Sequence, residues 1–412
     1  MHIGFFPTST NTNHEKYDIM TIDISHMICI VQFCNLFSKG NIFMKTVAVI
    51  FGGRSSEYEV SLSSAYGVLT NIDHDKYNVV RLGITREGSF WYYCGSDEAI
   101  ANGTWLEEEK YPVSLDLTNS GLLVLRDGVA ESVHLDCILP MIHGKFCEDG
   151  TMQGMFAVAG IPVAGCDCEA SAVCMDKAIT KAIVNAETDI RQAAAVVAEA
   201  VSCPVCDTVE TAEVAALRHE CERSFGYPMF VKPSRAGSSV GVSKVKTAAA
   251  FNRAVCVAFA EDSKVVIEEC IDGVEIEVAV LEERGEYTVA GPAEIDKGSS
   301  EFYDYETKYI SDVSSYYLPA RLPEEKLAEV REKALTIFKV LECRGLSRVD
   351  FFCRKNGEFV FNEINTLPGF TPISMYPKMM IHAGISYSEL IDRLILSAIG
   401  GSAEPTGGHR VG

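Results

Sequence analysis

The sequence has 412 residues, enough for two or three domains, and its 47% hydrophobic and 23% charged residues exclude a disordered chain. A formal net charge of −21 repels a phosphate backbone or an anionic bilayer, which excludes nucleic acid as the main partner. Fifteen scattered cysteines, an odd number in a long chain, fit buried thiols in a reducing compartment rather than a disulfide scaffold.

Residues 1–43 carry no sustained period. Their most apolar stretch, 27–37, is interrupted by Gln32 and Asn35 and is shorter than the roughly 20 residues a bilayer requires. No basic segment precedes it, as a secretion signal needs, so the expected location is the cytoplasm. At Met44 the pattern changes to Lys45-Thr-Val-Ala-Val-Ile-Phe-Gly-Gly53, a β-branched run ending in paired glycines, as in a buried parallel strand entering a tight turn. Met44 therefore reads as the native start, with 1–43 an upstream artefact or a disordered arm. A capped helix is predicted over 61–69, with strands at 77–84 and 137–142, and this alternation predicts an α/β domain over 44–175 whose strand ends carry a site.

A second unit, 176–270, opens at Asp176-Lys177 with Ala-rich sequence that reads as helical to about residue 222. Cys203-Pro-Val-Cys206 within it has redox spacing, but no second pair accompanies it and it reads as structural. A strand at 227–232 leads into the loop Arg235-Ala-Gly-Ser-Ser239-Val-Gly-Val-Ser243, and another strand follows at 265–268. The third unit, 271–399, holds strands, a long polar loop over 297–317 of the kind that forms lids, a helix over 323–341 and a hairpin. The tail 400–412 is Gly/Pro-rich and reads as frayed.

The hairpin is Ser347-Arg-Val-Asp350-Phe-Phe-Cys-Arg-Lys355-Asn-Gly-Glu358-Phe-Val-Phe-Asn-Glu363-Ile-Asn365. Asn356-Gly357 between apolar runs predicts a two-residue type I′ turn. Counting outward, Lys355 opposes Glu358, Asp350 opposes Glu363 and Arg348 opposes Asn365, which places the last four on one face. Opposed carboxylates repel unless a cation joins them, and oxygen ligands from Asp350, Glu363 and Asn365 suit Mg²⁺ or Mn²⁺. The alternative is a solvated face on which Arg348 neutralises one acid. The next loop, Thr366-Leu-Pro-Gly369-Phe-Thr-Pro-Ile-Ser374, offers amides and hydroxyls to a carboxylate, though many loops do. Lys232, Arg235 and the small residues after them suit phosphate, yet lack the Walker A spacing, and a plain surface loop fits equally well. His143 closes an apolar strand, where an α/β sheet places ligands.

Assembled in order, these segments resemble the D-alanine–D-alanine ligases of the ATP-grasp superfamily. The resemblance rests on Phe51-Gly-Gly with Glu57-Tyr-Glu-Val-Ser61, His143-Gly with Glu148-Asp-Gly-Thr-Met-Gln-Gly154, Cys174-Met-Asp-Lys177, Arg235-Ala-Gly-Ser-Ser239, Tyr303-Asp-Tyr with Lys308-Tyr309, and Asn362-Glu-Ile-Asn-Thr-Leu-Pro-Gly369. It covers 44 to about 399 and implies an N-terminal parallel-sheet domain followed by two ATP-grasp subdomains clamping the nucleotide. The implied activity is acyl-phosphate ligation of two D-alanines with ATP and two Mg²⁺ ions, for peptidoglycan synthesis, by a cytoplasmic homodimer. By the same resemblance, Glu57 anchors the first ammonium with Ser238 and Tyr309. Lys177, Lys232 and Ser239 contact phosphates, Glu268 and Glu275 hold adenine and ribose, and Lys308 touches the γ-phosphate. Arg348 and the Gly369 backbone stabilise the oxyanion, and His143 and Ser374 face the second substrate. The metal ligands are Asp350, Glu363 and Asn365.

Cys147 stands where this family usually has Gly. The stretches after Glu57 and between Gly165 and Lys177 are also similar to the vancomycin-resistance ligases that use D-serine second, so D-serine is the alternative second substrate. A dehydrogenase is disfavoured because no Gly-x-Gly-x-x-Gly follows the first strand. A nucleotide-binding regulator without turnover is disfavoured by the retained acids Asp350 and Glu363.

Overall fold

The computed structural model describes residues 44–200, 205, 209–296 and 315–401. The expectations for residues 1–43, for the Cys203/Cys206 pair, for the loop bearing Lys308 and Tyr309, and for the tail beyond 401 lie outside the described residues.

The first strand, β1 (Lys45–Gly52), is apolar and buried from Val47 onward because both of its faces are covered there, and it pairs in parallel with β2 (Tyr77–Ile84). Helix α1 (Tyr58–Leu69) connects them. It begins three residues before the predicted start, and Ser61 caps nothing. Its hydroxyl instead accepts from Gly52 N at 2.7 Å and donates to Met141 O at 2.5 Å, tying the helix to the ends of two strands. Beyond β2 the chain runs through β3 (Phe90–Tyr93), α2 (Asp97–Ala101), β4 (Lys110–Asp116), β5 (Gly121–Arg126) and β6 (Val129–His134), then β7 (Cys137–Pro140). The sheet order is β6-β5-β4-β3-β2-β1-β7, with β2 to β6 joined antiparallel and β7 parallel to β1. The expected parallel sheet is therefore mixed. Only the β1–β2 connection is a helical crossover, through α1, while antiparallel pairing extends the sheet from β2 to β6 and β7 follows β6 after two residues.

Helices α3 (Thr151–Val158), α4 (Cys168–Met175) and α5 (Lys177–Glu187) follow, then β8 (Ala195–Glu199), α6 (Ala212–Ser224), β9 (Met229–Pro233), β10 (Ser243–Val245), α7 (Ala248–Glu261) and β11 (Lys264–Glu269). The Ala-rich stretch is thus not continuous helix. Ala195-Val-Val-Ala-Glu199 pairs antiparallel with β11 and forms an edge of the sheet β10-β9-β11-β8, where tertiary pairing overrides alanine's local preference. The last section comprises β12 (Gly273–Glu283), β13 (Glu286–Asp296), β14 (Ser315–Tyr317), α8 (Glu324–Val340), β15 (Leu346–Arg354), β16 (Phe359–Asn365), α9 (Met375–His382) and α10 (Tyr387–Gly401). Its antiparallel sheet runs β14-β13-β12-β15-β16, and α8 packs on the face that buries Ile276, Val278, Val280 and Phe351. Among the described residues no helix is long and apolar enough to cross a membrane, and no disulfide joins the cysteines.

The β15–β16 hairpin has the predicted outer register, with Asp350 opposite Glu363 and Arg348 opposite Asn365. Its turn differs from the prediction. Arg354 N donates to Glu358 O at 2.9 Å, so Lys355, Asn356 and Gly357 form a three-residue loop, with Gly357 left-handed at φ +82°. The extra turn residue shifts Phe351 opposite Phe361, and a bulge at Asn362 restores the register beyond it. Adding a Cβ at Gly357 places a side chain at positive φ and 3.2 Å from Lys326 Cε. Gly357→Ala should cost about 1–2 kcal/mol in urea unfolding, and an unchanged midpoint would argue against the three-residue loop.

Candidate functional site

A cavity of about 490 Å³ lies between the β10-β9-β11-β8 sheet and the β12–β15–β16 face, open to the loop after β9. Its lining is mixed: Phe230, Val242 and Ile271 stand with Lys177, Lys232, Ser238, Ser239 and Glu363, and Lys232 Nζ lies 5.9 Å from the centre of the Phe230 ring. Alternation along β9 turns Val231 into the core and Lys232 toward the cavity.

Glu268, at the end of β11, is buried on the cavity wall between two cations. Lys232 Nζ lies 2.5 Å from its Oε2, and Lys181 Nζ, from α5, lies 2.8 Å from its Oε1. Burial alone would raise the Glu268 pKa, but the Lys232 and Lys181 charges outweigh it and hold the carboxyl at about 2. Glu268 is therefore ionised and can only accept hydrogen bonds. Burial tends to lower the Lys232 pKa, and Glu268 more than compensates, raising it. Lys181 carried no recognisable sequence signal; it is a lysine one turn along a helix whose start, Asp176-Lys177, was read correctly.

Lys177 Nζ donates to Ala236 O at 2.8 Å and lies 3.9 Å from Glu363 Oε2. Arg235 is not on the cavity wall. Its guanidinium binds Asp262, with Nη2 to Oδ1 at 2.6 Å, and its backbone N–H donates to the same carboxylate, so it shapes the loop instead of meeting a phosphate. Ser238 and Ser239 both have positive φ, which turns the loop back on itself. Ser238 Oγ donates to Glu57 Oε1, joining the loop to the first residue before α1. Gly144 and Gly237 lie against the same carboxylate: a Cβ on either would sit 2.7 Å and 3.0 Å from Glu57 Oε2.

The acids on the β12–β15–β16 face are more numerous than the hairpin alone suggested. Glu277 opposes Asp350 across β12 and β15, and carboxylate atoms of Glu275, Glu277 and Asp350 lie within 4.8 Å of one another. Arg348 binds Asp350 through two nitrogens, at 2.8 Å and 2.7 Å, and its Nε is 3.5 Å from Glu277 Oε2. Burial raises the Asp350 pKa; Arg348 acts against it, and Glu363 and Glu275 add to it. Three buried carboxylates with a fourth acid nearby gather around Arg348, and an all-oxygen donor set of this kind fits a hard divalent cation. Asn365 is turned partly to its own loop, its Oδ1 accepting from Leu367 N at 3.0 Å. Glu277 was missed because its pairing with Asp350 depends on the β12–β15 register, 73 residues apart in sequence.

His143 does not face open space. It is buried, with Nε2 3.0 Å from Ser64 Oγ, Nδ1 3.0 Å from Leu367 O, and Glu148 Oε1 3.5 Å from Nδ1. Burial opposes the charge on this ring, and Glu148 outweighs burial, so its pKa is raised. Gly369 is buried in the loop between Leu367 and Phe370, and Ser374 Oγ accepts from Thr371 N at 3.1 Å. Cys147 is buried beside Gly53 at an ordinary φ; the left-handed residue of that turn is Phe146, so no glycine is required at position 147.

Two family models match the chain: one described as D-ala D-ala ligase N-terminus over residues 46–166, and one described as D-ala D-ala ligase C-terminus over residues 197–396. A D-alanine–D-alanine ligase of Caldicellulosiruptor bescii is 44% identical over 355 residues, which is 86% of this chain and 94% of that protein. One from Chlorobium luteolum is 43% identical, covering 86% and 97%. Among solved structures, the VanG D-Ala:D-Ser ligase from Enterococcus faecalis superposes with a TM-score of 0.75 at 42% identity, covering 85% of this chain and 98% of that one. The D-alanine–D-alanine ligase from Coxiella burnetii gives 0.73 at 30% identity, covering 87% and 94%.

The double lysine contact on Glu268 makes a signed prediction. Glu268 has a depressed pKa in the fold, so its stabilisation is complete above the ordinary carboxyl range near 4.5 and is lost as the pH falls toward about 2. Lys181→Met should destabilise the protein by about 1.5–3 kcal/mol at neutral pH. It should also make the acid loss smaller and end it at a higher pH, because the folded-state pKa of Glu268 rises while the unfolded one stays near 4.5, as read by urea unfolding between pH 2 and 7. A variant with the wild-type pH profile would show that Lys232 alone sets the Glu268 charge.

Proposed function

The chain belongs to the D-alanine–D-alanine ligase family, and on that premise we propose that it joins two D-alanines into D-alanyl-D-alanine with conversion of ATP to ADP, for peptidoglycan precursor synthesis. The observation that carries this reading is 44% identity to a D-alanine–D-alanine ligase across 86% of the chain. The cavity, lined by Lys177 and Lys232 together with Phe230, Val242 and Ile271, supports it.

A carboxylate oxygen of the first D-alanine attacks the γ-phosphorus, the bond from that phosphorus to its bridging oxygen breaks, and ADP leaves. The amine of the second D-alanine then attacks the carbonyl carbon of the acyl phosphate, loses a proton, and inorganic phosphate departs. Glu57 holds the first ammonium, fixed by Ser238, with Tyr309 as the third member of that group. Lys177, Lys232, Ser239 and Lys308 offset phosphate charge by direct contact. Glu268, as a permanent acceptor, receives a hydrogen bond from the adenine amino group, and Glu275 serves the ribose. Arg348 and the Gly369 amide stabilise the oxyanion of the tetrahedral intermediate, and Ser374 binds the second carboxylate. Asp350, Glu363 and Asn365, with Glu275 and Glu277 beside them, suit two Mg²⁺ or Mn²⁺ ions, whose chemistry is to neutralise triphosphate charge. The 42% identity to a D-Ala:D-Ser ligase keeps D-serine as a second reading for the acceptor. A methyl-to-hydroxymethyl change is a small discrimination for a pocket. The cytoplasm is the location that ATP use and the absence of disulfides among the described residues support. The assembly we expect is a homodimer.

Phosphate release should require ATP and D-alanine and should stop when EDTA removes divalent ions. Product mass with D-alanine alone, then with D-alanine plus D-serine, decides the acceptor; a mixed dipeptide in excess would replace the first reading by the second. Glu363→Gln should lower turnover by a factor of about 10² or more with the fold retained, and near-normal turnover would remove Glu363 from the metal-binding set.

A further inference from the structure

We propose that Ser64 and His143 form a hydrogen-bonded clamp that positions the Leu367–Phe370 loop, making both of them positioning residues for the oxyanion-binding amide. The inference rests on the ligase reading above for the role of the Gly369 amide. Its geometry rests on contacts outside that reading.

Ser64 lies on the fully buried side of α1, with no solvent exposure. Its hydroxyl oxygen accepts from Phe370 N at 3.2 Å and is 3.0 Å from His143 Nε2. The other ring nitrogen, Nδ1, is 3.0 Å from Leu367 O. A carbonyl only accepts, so Nδ1 carries a hydrogen; Nε2 accepts the Ser64 hydroxyl hydrogen in the neutral ring and donates to the Ser64 oxygen in the charged one, so the contact joins the two side chains in both states. The contacts are continuous: Phe370 N–H to Ser64 Oγ, Ser64 Oγ with His143 Nε2, and His143 Nδ1–H to Leu367 O. The chain of bonds runs from one end of the Leu367-Pro368-Gly369-Phe370 loop to the other through the N-terminal helix. Tyr387 closes the outer side, donating to Phe370 O at 2.5 Å.

Gly67, one turn after Ser64, lets the loop lie this close. A Cβ there would sit 2.5 Å from Phe370 O and 3.0 Å from Tyr387 Oη. The residue has an ordinary helical conformation, so what glycine provides is space for the loop. This arrangement accounts for His143 being buried with both nitrogens engaged, where the resemblance implied contact with the second substrate. The clamp fixes two amides by backbone contact, and loop displacement of about 1 Å can cost on the order of 10²-fold in rate.

The experiment compares wild type with Ser64→Ala, His143→Gln, the double variant and Gly67→Ala, in the full chain. Hydrogen exchange at the Phe370 amide, read without substrates by mass spectrometry with single-residue fragmentation, should speed up about tenfold in Ser64→Ala, with β16 amides unchanged. In steady-state assays kcat should fall roughly 10–100-fold in each single variant, KM for ATP should stay within about twofold, and the double variant should be no worse than the poorer single one, because the two act as one unit. Gly67→Ala, which removes no hydrogen-bonding group, should reproduce the kcat loss. Unchanged exchange at Phe370, or strictly multiplicative losses in the double variant, would overturn the clamp. A loss confined to KM for the second amino acid in His143→Gln would overturn it in favour of direct contact. Because exchange is read without substrates, its outcome is separate from whether the chain makes a dipeptide.

Discussion

The fold is organised around an unfavourable arrangement of charge. Strands β12, β15 and β16 turn Glu275, Glu277, Asp350 and Glu363 toward one region, three of them buried in mutual reach, in a protein that is already strongly acidic. Apolar packing of α8 on the opposite sheet face holds these strands in register and so forces the carboxylates together. Arg348 answers part of that charge from within the sheet and Lys177 from across the cavity. The gathered oxygens suit a hard cation. On the same cavity wall Glu268 is held between Lys181 and Lys232 and stays charged at any ordinary pH. Lys177, Lys232, Glu268 and Glu363 all line one cavity, so cations and carboxylates meet a bound ligand together.

Much of this was legible in local pattern. β2 was predicted to the residue, and the strands on either side of the Arg235–Ser243 loop lie within two residues of their predicted bounds, though β10 and α7 between them were not read. The opposition of Asp350 to Glu363 followed from Asn356-Gly357 and side-chain alternation. That success contained two errors that cancel: the turn is one residue longer than predicted, and Asn362 is inserted into the facing strand. The glycine-rich signal identifies a turn but does not distinguish a two-residue turn from a three-residue one ending in left-handed Gly357.

What was not legible depends on partners far away in sequence. Ala195–Glu199 reads as helix until β11 is beside it, and Arg235 reads as a phosphate ligand until Asp262 takes its guanidinium. Glu277 and Lys181 carry no motif, since one is defined by strand pairing and the other by the direction of a helix face. His143 was marked for its place at a strand end, and its actual contacts, Ser64 and Leu367, come from residues 79 and 224 positions distant. Helix α1 shows the same dependence. Its small side chains look merely permissive in sequence, yet Ser61 and Ser64 make its polar contacts to two strand ends and a distant loop.

The bulge at Asn362 has a consequence for how this hairpin can vary. In a two-stranded ribbon each added residue inverts the parity of everything beyond it, so a lone insertion in the turn would send Glu363 to the apolar side and bring Ile364 out. Asn362 is a second inversion that cancels the first, and the distal tip and the carboxylates are thereby mechanically insulated. Length changes at the tip are tolerable only when matched by a compensating change in the strand, so loop length and bulge should be inherited as a linked pair.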